Sequence, residues 1–348
     1  MGVRAQEGQY RLIHDVINQG ICVRCGACVG LCPYFDYVDG NVVVTDRCNA
    51  DTWRCLQLCP RAGYEGIEFD SDRSESAEKG EIGTYKKIVI AQATDNAAEK
   101  RFQYGGVVSA LIIYALEKGH IKSAVLTDRG NHRSPAGKLV KNREDVLDCV
   151  GSRYSGSGSL SALNTAISAG ESRLGVVGLP CQMEALARMK RMTPDGEERS
   201  NRIGLRIGLF CTWAIDYRRL NMFLKNKGVE GPIQKYDIPP PPAEKFQVQN
   251  ENGWIDFPLS DIRQIVQKGC GLCQDMTAEW ADISVGAVEG RDGWNTVVVR
   301  TDTGSRIMNM AIEDDRLLTS HLPEENLKHL KEASLIKRER GKKGTFYD

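Results

Sequence analysis

The chain has 348 residues, 41% hydrophobic and 26% charged, with 46 basic and 46 acidic side chains and a formal net charge of zero. Such a length accommodates two or three domains of ordinary globular composition, and the charge balance argues against a nucleic-acid binder, which carries a basic excess. The longest apolar stretch, Gly105–Leu116, is too short to span a bilayer, and the first residues lack the apolar run of a secretory signal, so the expected location is the cytoplasm, free or peripheral to a membrane complex.

Residues 1–70 are dominated by cysteine. The chain holds twelve cysteines, seven of them between Cys22 and Cys59, and their spacing argues for metal rather than disulfides. Cys22-x2-Cys25-x2-Cys28-x3-Cys32-Pro33 is the bacterial ferredoxin run, in which three thiolates wrap one iron–sulfur cluster and the fourth ligates its neighbour. Gly26 and Ala27 keep bulk off the inorganic sulfides, so backbone amides can approach. Zinc is the competing reading, and four cysteines so closely spaced before a proline argue against it. The second half is degenerate, Cys48-x6-Cys55-x3-Cys59-Pro60. Cys59 is expected to complete the first cluster with Cys22, Cys25 and Cys28, leaving Cys32, Cys48 and Cys55 for a second. Thr52 stands where a repeat would place the fourth cysteine. The second cluster is therefore expected to be 3Fe–4S, or 4Fe–4S with an oxygen or external ligand such as Asp51.

Residues 71–85 are polar and rich in Ser, Glu and Gly, and read as a linker. Beyond them, strand-like and helical runs alternate. Strands are expected at Lys87–Thr94, Lys122–Thr127, Leu174–Gly178 and Ile203–Phe210, and helices at Gly105–Glu117, Leu160–Ser168, Gln182–Arg191 and Tyr217–Lys227. This pattern predicts an α/β core with a largely parallel or mixed sheet. Four prolines, Pro239–Pro242, interrupt it. A hairpin is expected from Phe246–Gln249 and Trp254–Pro258, then strands at Asp282–Val285, Thr296–Thr301 and Ser305–Met310, and a terminal helix over 323–334. The basic tail Lys337–Lys343 reads as a solvated end.

Cys181 and Cys211 each follow a strand-like run, and loops at the ends of neighbouring strands converge. With Cys270 and Cys273 they offer four thiolates, the number a 4Fe–4S cluster needs. The competing reading makes Cys181 and Cys211 buried packing residues.

In these segments the chain resembles the beta subunits of coenzyme F420-reducing hydrogenase and F420H2 dehydrogenase. The resembling pieces are GGVVSAL (105–111), GSRY (151–154), VGLPCQMEAL (177–186), GLFC (208–211), KGCGLCQDMTAEWADISVG (268–286) and GWNTVVVR (293–300). The resemblance implies an α/β (α+β) flavin-binding domain over 86–348, after a small ferredoxin-like iron–sulfur domain over 1–70. It implies FAD, held by Gly105, Gly106 and Ser109 at the start of a helix, by Gly151, Ser152, Arg153 and Tyr154, and by Ser284, Gly286, Trp294 and Asn295. Ala287 departs from the polar residue expected there. The implied cofactors are FAD, two 4Fe–4S clusters and one further 4Fe–4S or 3Fe–4S cluster, with coenzyme F420 as substrate. The implied activity is that of an oxidoreductase, an electron-input subunit exchanging hydride between F420 and FAD. The implied partner is a redox protein of the hydrogenase, formate dehydrogenase, heterodisulfide reductase or membrane dehydrogenase type. Two readings compete: a reductase of the same fold linked to ferredoxin or NAD(P)H and acting on another substrate, and a relay subunit with clusters but no substrate. No G-x-G-x-x-G follows a strand as a dinucleotide fingerprint requires.

The five histidines fit no catalytic or metal pattern and read as structural or surface residues, and Cys149 reads as a packing cysteine. Asp275, Glu279 and Asp282 near Cys270 and Cys273 are either charges that would lower a cluster's potential or ordinary solvated groups.

Overall fold

The computed structural model describes residues 7–50, 52–63, 80–94, 102–128, 134–239 and 243–344. The cysteine-rich segment contains α1 (Glu7–Arg11), a π-helical turn, the hairpin β1 (Phe35–Val38) and β2 (Asn41–Val44), and α2 (Arg54–Leu58). Then follow β3 (Lys87–Ala93), α3 (Val107–Glu117), β4 (Ser123–Thr127), β5 (Gly137–Val140), α4 (Arg143–Asp148), α5 (Ser159–Ser168), β6 (Leu174–Gly178), α6 (Pro180–Arg191), α7 (Gly196–Asn201), β7 (Ile203–Leu209) and α8 (Tyr217–Asn226). The remainder holds β8 (Lys235–Asp237), β9 (Lys245–Asn250), β10 (Gly253–Pro258), α9 (Leu259–Arg263), a 3-10 turn (Lys268–Leu272), β11 (Ile283–Ala287), β12 (Asn295–Val299), α10 (Asp302–Glu313), β13 (Leu317–Ser320) and α11 (Glu324–Lys343).

Eight strands form one sheet in the order β13-β3-β12-β11-β7-β6-β4-β5. Its centre, β11-β7-β6-β4, is parallel, and antiparallel strands flank it on both sides. The expected mixed sheet is therefore present. All five residues of β6 and of β12 are buried, as strands covered on both faces must be. A second sheet, β10-β9-β8, is antiparallel, and β9 alternates partly and fully buried residues because one face packs on a core and the other does not.

Local chemistry sets the helix boundaries. Pro180 opens α6, where its missing amide hydrogen costs nothing, and Gln182 reaches back to accept from the Leu179 amide at 2.7 Å. Ser305–Met310, expected as a strand, lies instead inside α10. Thr301 caps that helix by accepting from the Gly304 amide at 3.1 Å, and Ile307, Met308 and Ala311 share one buried face at helical spacing. The terminal helix also runs past its expected end, to Lys343. The basic tail is thus not a solvated end: Lys337 is only 2% exposed. The hairpin β9-β10 falls where it was expected.

The cysteine-rich segment packs directly against α5 and α6. Val23, Cys25, Ala27, Leu31 and Leu58 share one apolar core with Leu160, Leu163, Met183 and Leu186. Asn164, fully buried on α5, donates to the carbonyls of Ala27 and Val29 at 2.8 Å each and accepts from Arg199 at 2.9 Å. Two ion pairs flank this contact, Arg24–Asp216 at 2.6 Å and Arg54–Asp195 at 2.7 Å. Of the polar stretch 71–85, residues 71–79 lie outside the described residues, and Ile82 and Tyr85 are buried against Val298. Among the described residues no helix is long and apolar enough to cross a membrane.

Candidate cofactor and cluster sites

The first four cysteines sit on a loop wound by left-handed residues, Arg24 (φ 58°), Gly26 (φ 81°) and Gly30 (φ 72°). At Gly26 glycine is required twice over, because a Cβ there would also lie 2.5 Å from the Gly158 carbonyl oxygen. The loop is therefore both coiled on itself and pressed onto the α/β body.

The eleven cysteines singled out by spacing fall into three groups of mutually facing thiols. Cys28 faces Cys22, Cys25 and Cys59, and Cys59 faces Cys25 and Cys22. Burial, and then these like neighbours, push their thiols up, Cys25 to about 12. Cys55 faces Cys32 and Cys48 and is likewise pushed up to about 12, chiefly by burial. In the third group Cys181 faces Cys273 and Cys211, and Cys211 faces Cys270 and Cys273. Burial raises Cys181, Cys211 and Cys270, with Cys211 pushed to about 12. The Ala214 amide donates to the Cys270 sulfur at 3.3 Å. None of the cysteines is in a disulfide. Among the described residues no three His, Cys, Asp or Glu side chains converge closely enough to share one metal ion.

The groups form a row. Cys181 of the third faces Cys25 of the first, and Cys28 of the first faces Cys55 of the second. Thr52 is exposed and Asp51 lies outside the described residues. The twelfth cysteine, Cys149, lies elsewhere, on the wall of a cavity.

That cavity has a volume of about 740 Å³. It opens at the carboxyl ends of β4, β6, β7 and β11, where ligands of open α/β sheets collect. Gly106, Ser109, Gly151, Ser152, Arg153, Tyr154, Gly286 and Asn295 line it, together with Ala287 and Cys211. Gly106 (φ 71°) has no room for a side chain, since a Cβ would meet the Phe102 ring at 2.3 Å. Gly105 packs beneath Asn295, where a Cβ would fall 2.9 Å from the Asn295 Oδ1. Asn295 also donates to the Gly286 carbonyl at 3.0 Å, tying β12 to β11. Ser284 and Trp294 do not line the cavity. Ser284 is fully buried, donating to the Ala278 carbonyl and accepting from Arg300 at 2.7 Å, and Trp294 packs against Ile90, Val288 and Leu322.

Two features of the cavity had no motif to announce them. Gln103, Tyr104 and Tyr154 all donate to one oxygen of Asp237, at 2.8, 3.1 and 3.3 Å. Burial, then the Asp237 charge among their neighbours, pushes both tyrosines up and keeps them neutral donors. The chain pays for this with Tyr154 in a left-handed conformation (φ 53°). Asn326, His329, Leu330 and Ala333, one face of α11, line the opposite wall, and His329 pairs with Glu289 at 2.9 Å. His329 is exposed, as expected of a surface residue, and also borders the cavity.

The family model for the N-terminal part of the coenzyme F420 hydrogenase/dehydrogenase beta subunit matches residues 88–164, and that for its C-terminal part matches residues 171–325. The chain belongs to this family. It is 32% identical over 248 residues to the coenzyme F420 hydrogenase subunit beta of Methanosarcina barkeri, a match covering 70% of this chain and 84% of the relative. Against a subunit of the F(420)H(2) dehydrogenase of Methanosarcina mazei it is 30% identical, covering 89% of this chain and 88% of the relative. Among solved structures, a chain of the F420-reducing [NiFe] hydrogenase complex from Methanosarcina barkeri superposes with a TM-score of 0.71 at 30% identity, over 76% of this chain and 93% of that one. The chain is an oxidoreductase, and its mixed α/β sheet is that of the hydrogenase subunit.

Proposed function

We propose that the chain is an electron-input subunit that exchanges hydride with coenzyme F420 at a bound FAD and delivers electrons singly to a partner protein. The observation that carries this reading is Cys211, which lines the cavity and also belongs to the third thiol group. A ligand in the cavity would thus adjoin the start of a row of thiols leading across the molecule. When bound, FAD takes two electrons together and gives them up one at a time, which iron–sulfur clusters require.

The residues present fit these groups. The cavity volume lies within the roughly 300–1,000 Å³ typical of ligand sites, and Gly106 admits a ligand close to the backbone where α3 begins. Gly151 to Tyr154 form the side wall, and Asp237 holds Tyr104 and Tyr154 in place by accepting hydrogen bonds from their hydroxyls. Buried thiols raised by one another suit a positively charged iron core, which would hold them as thiolates. Cys22, Cys25, Cys28 and Cys59 would hold one cluster, Cys181, Cys211, Cys270 and Cys273 another, and Cys32, Cys48 and Cys55 a third with one position left to a non-cysteine ligand. The cysteine-rich segment would then be a ferredoxin-like module built onto the flavin domain.

The test is the visible spectrum, flavin content and iron content of anaerobically purified protein, followed by reduction with F420H2, NADH or reduced ferredoxin. Bleaching of flavin and cluster bands by F420H2 alone is expected. Bleaching by NADH or ferredoxin instead would assign another donor, and iron without flavin would make the chain a relay.

A further inference from the structure

Two cations are buried beside the thiol groups. Lys337, on the last turns of α11, is 2% exposed, and its ammonium donates to the Cys211 carbonyl. The main negative neighbours facing it are Cys273, Cys211 and Cys270, with Asp275 after them. The helix is held in place there by Gly341, where a Cβ would lie 2.6 Å from the Cys273 carbonyl oxygen. Arg61, from the cysteine-rich segment, has a side chain 5% exposed. It donates to the carbonyls of Gly269 at 2.9 Å and Pro60 at 2.6 Å, and Glu184 stands 3.6 Å away. Its Nη2 is buried without a hydrogen-bond partner among the described residues.

A buried cation is costly unless an anion or a set of acceptors compensates it. Glu184 supplies part of it for Arg61 and Asp275 part of it for Lys337, and the thiols of the third group, as thiolates on a bound cluster, would supply the rest. Arg61 faces Cys273, Cys181 and Cys270 of the third group, and it also acts on Cys22, Cys25 and Cys59 of the first. Lys337 acts on Cys211 and Cys270, both of the third group. Two of the three carboxylates near Cys270 are engaged elsewhere. Glu279 pairs with Arg338 at 2.5 Å, and Asp282 accepts from the Arg206 amide and from Thr301. The fixed charges that bear on the third group are therefore two cations, Lys337 and Arg61, and one carboxylate, Asp275, which also acts on Lys337.

We propose that Lys337 and Arg61 are electrostatic positioning residues that set reduction potentials, Lys337 for the third group alone and Arg61 for the first and third together. This inference rests on the reading of these groups as cluster sites. A fixed positive charge stabilises the more negative, reduced form of a cluster and so raises its potential. A cation shared by two neighbouring clusters lifts both.

The experiment is a potentiometric titration of the full-length, anaerobically purified protein followed by EPR. Signals are assigned with Cys270→Ser and Cys22→Ser variants, which remove the third and first groups' contributions. Lys337→Met is expected to lower the third group's midpoint potential and leave the first's in place, while Lys337→Arg keeps the wild-type value. Arg61→Gln is expected to lower both. Equal shifts in Lys337→Met and Lys337→Arg, an unchanged potential in Lys337→Met with full iron content, or a shift of only one potential in Arg61→Gln would overturn the assignment. Loss of the third group's iron in both Lys337 variants would also overturn it, by giving the lysine a purely structural task. If the wild-type protein lacks iron that Cys270→Ser removes, the cluster reading itself fails, and the iron count reports that before any potential is measured.

Discussion

The second and third thiol groups are built from the same residue type and differ in almost every other respect. The third has four thiols, Cys270 and Cys273 buried and Cys181 and Cys211 partly so, with an amide on one sulfur, two buried cations beside it and a cavity at its edge. The second has three, two of which, Cys32 and Cys48, are partly exposed, and an exposed threonine at the place of a fourth. On the proposed reading, the cavity and buried cations suit the end that receives electrons from a flavin, and the exposed threonine suits the end that hands them to another protein.

The strongest way to break this contrast is Cys270→Ser. One buried thiol is replaced by a poor iron ligand, so the third group's iron should be lost while the first and second keep theirs. Iron counts and EPR check this, and simultaneous loss of all iron from a folded chain would show that the groups do not assemble independently. A smaller effect is expected at the exposed end. Mild oxidation should convert the second group's cluster to 3Fe–4S before any other, seen as the early appearance of its EPR signal. Thr52→Cys should suppress that signal by supplying a fourth thiolate.

Gly106→Ala sharpens the comparison at the cavity. A left-handed conformation costs a side-chain-bearing residue about 1–2 kcal/mol, and the contact with Phe102 adds to it. Lower denaturation midpoints and reduced flavin content are expected, with the iron of the second group unchanged. The smallest effect is expected from Asp216→Asn, in the seam between the two regions. Burial opposes ionisation of Asp216, yet Arg24 and the first amides of α8 hold its carboxyl below the ordinary carboxylate range. A depressed folded pKa stabilises above the unfolded value and is lost as pH falls through the folded one. The asparagine variant should therefore be less stable by about 1–3 kcal/mol at neutral pH, and the gap to wild type should close in acid, as denaturation at several pH values would show.

Much of this molecule was legible in its sequence because its cysteines carry their chemistry in their spacing. The parallel centre of the sheet was equally plain, since β6 and β7 are apolar runs, each followed closely by a cysteine, Cys181 in the first turn of α6 and Cys211 in a loop. The edge strands β5 and β13 are four residues each and are defined by their partners rather than by their own pattern. Ser305–Met310 misled because short apolar alternation suits either period, and the cap at Thr301 decided for a helix. Asp237 and His329 were invisible for another reason. Each reaches its site only through tertiary packing, Asp237 from a small separate sheet and His329 from the terminal helix. Lys337 was hidden by its company, one buried cation in a run that reads as solvent-facing.

The three bonds of Asn164 bear on how this architecture tolerates rearrangement. Two of them fix the cysteine loop against α5 and the third ties α5 to Arg199 of α7, while the two flanking ion pairs hold the same contact. A cysteine-rich segment supplied as a separate polypeptide is expected to dock on the same contacts, with its first thiol group facing the third as before.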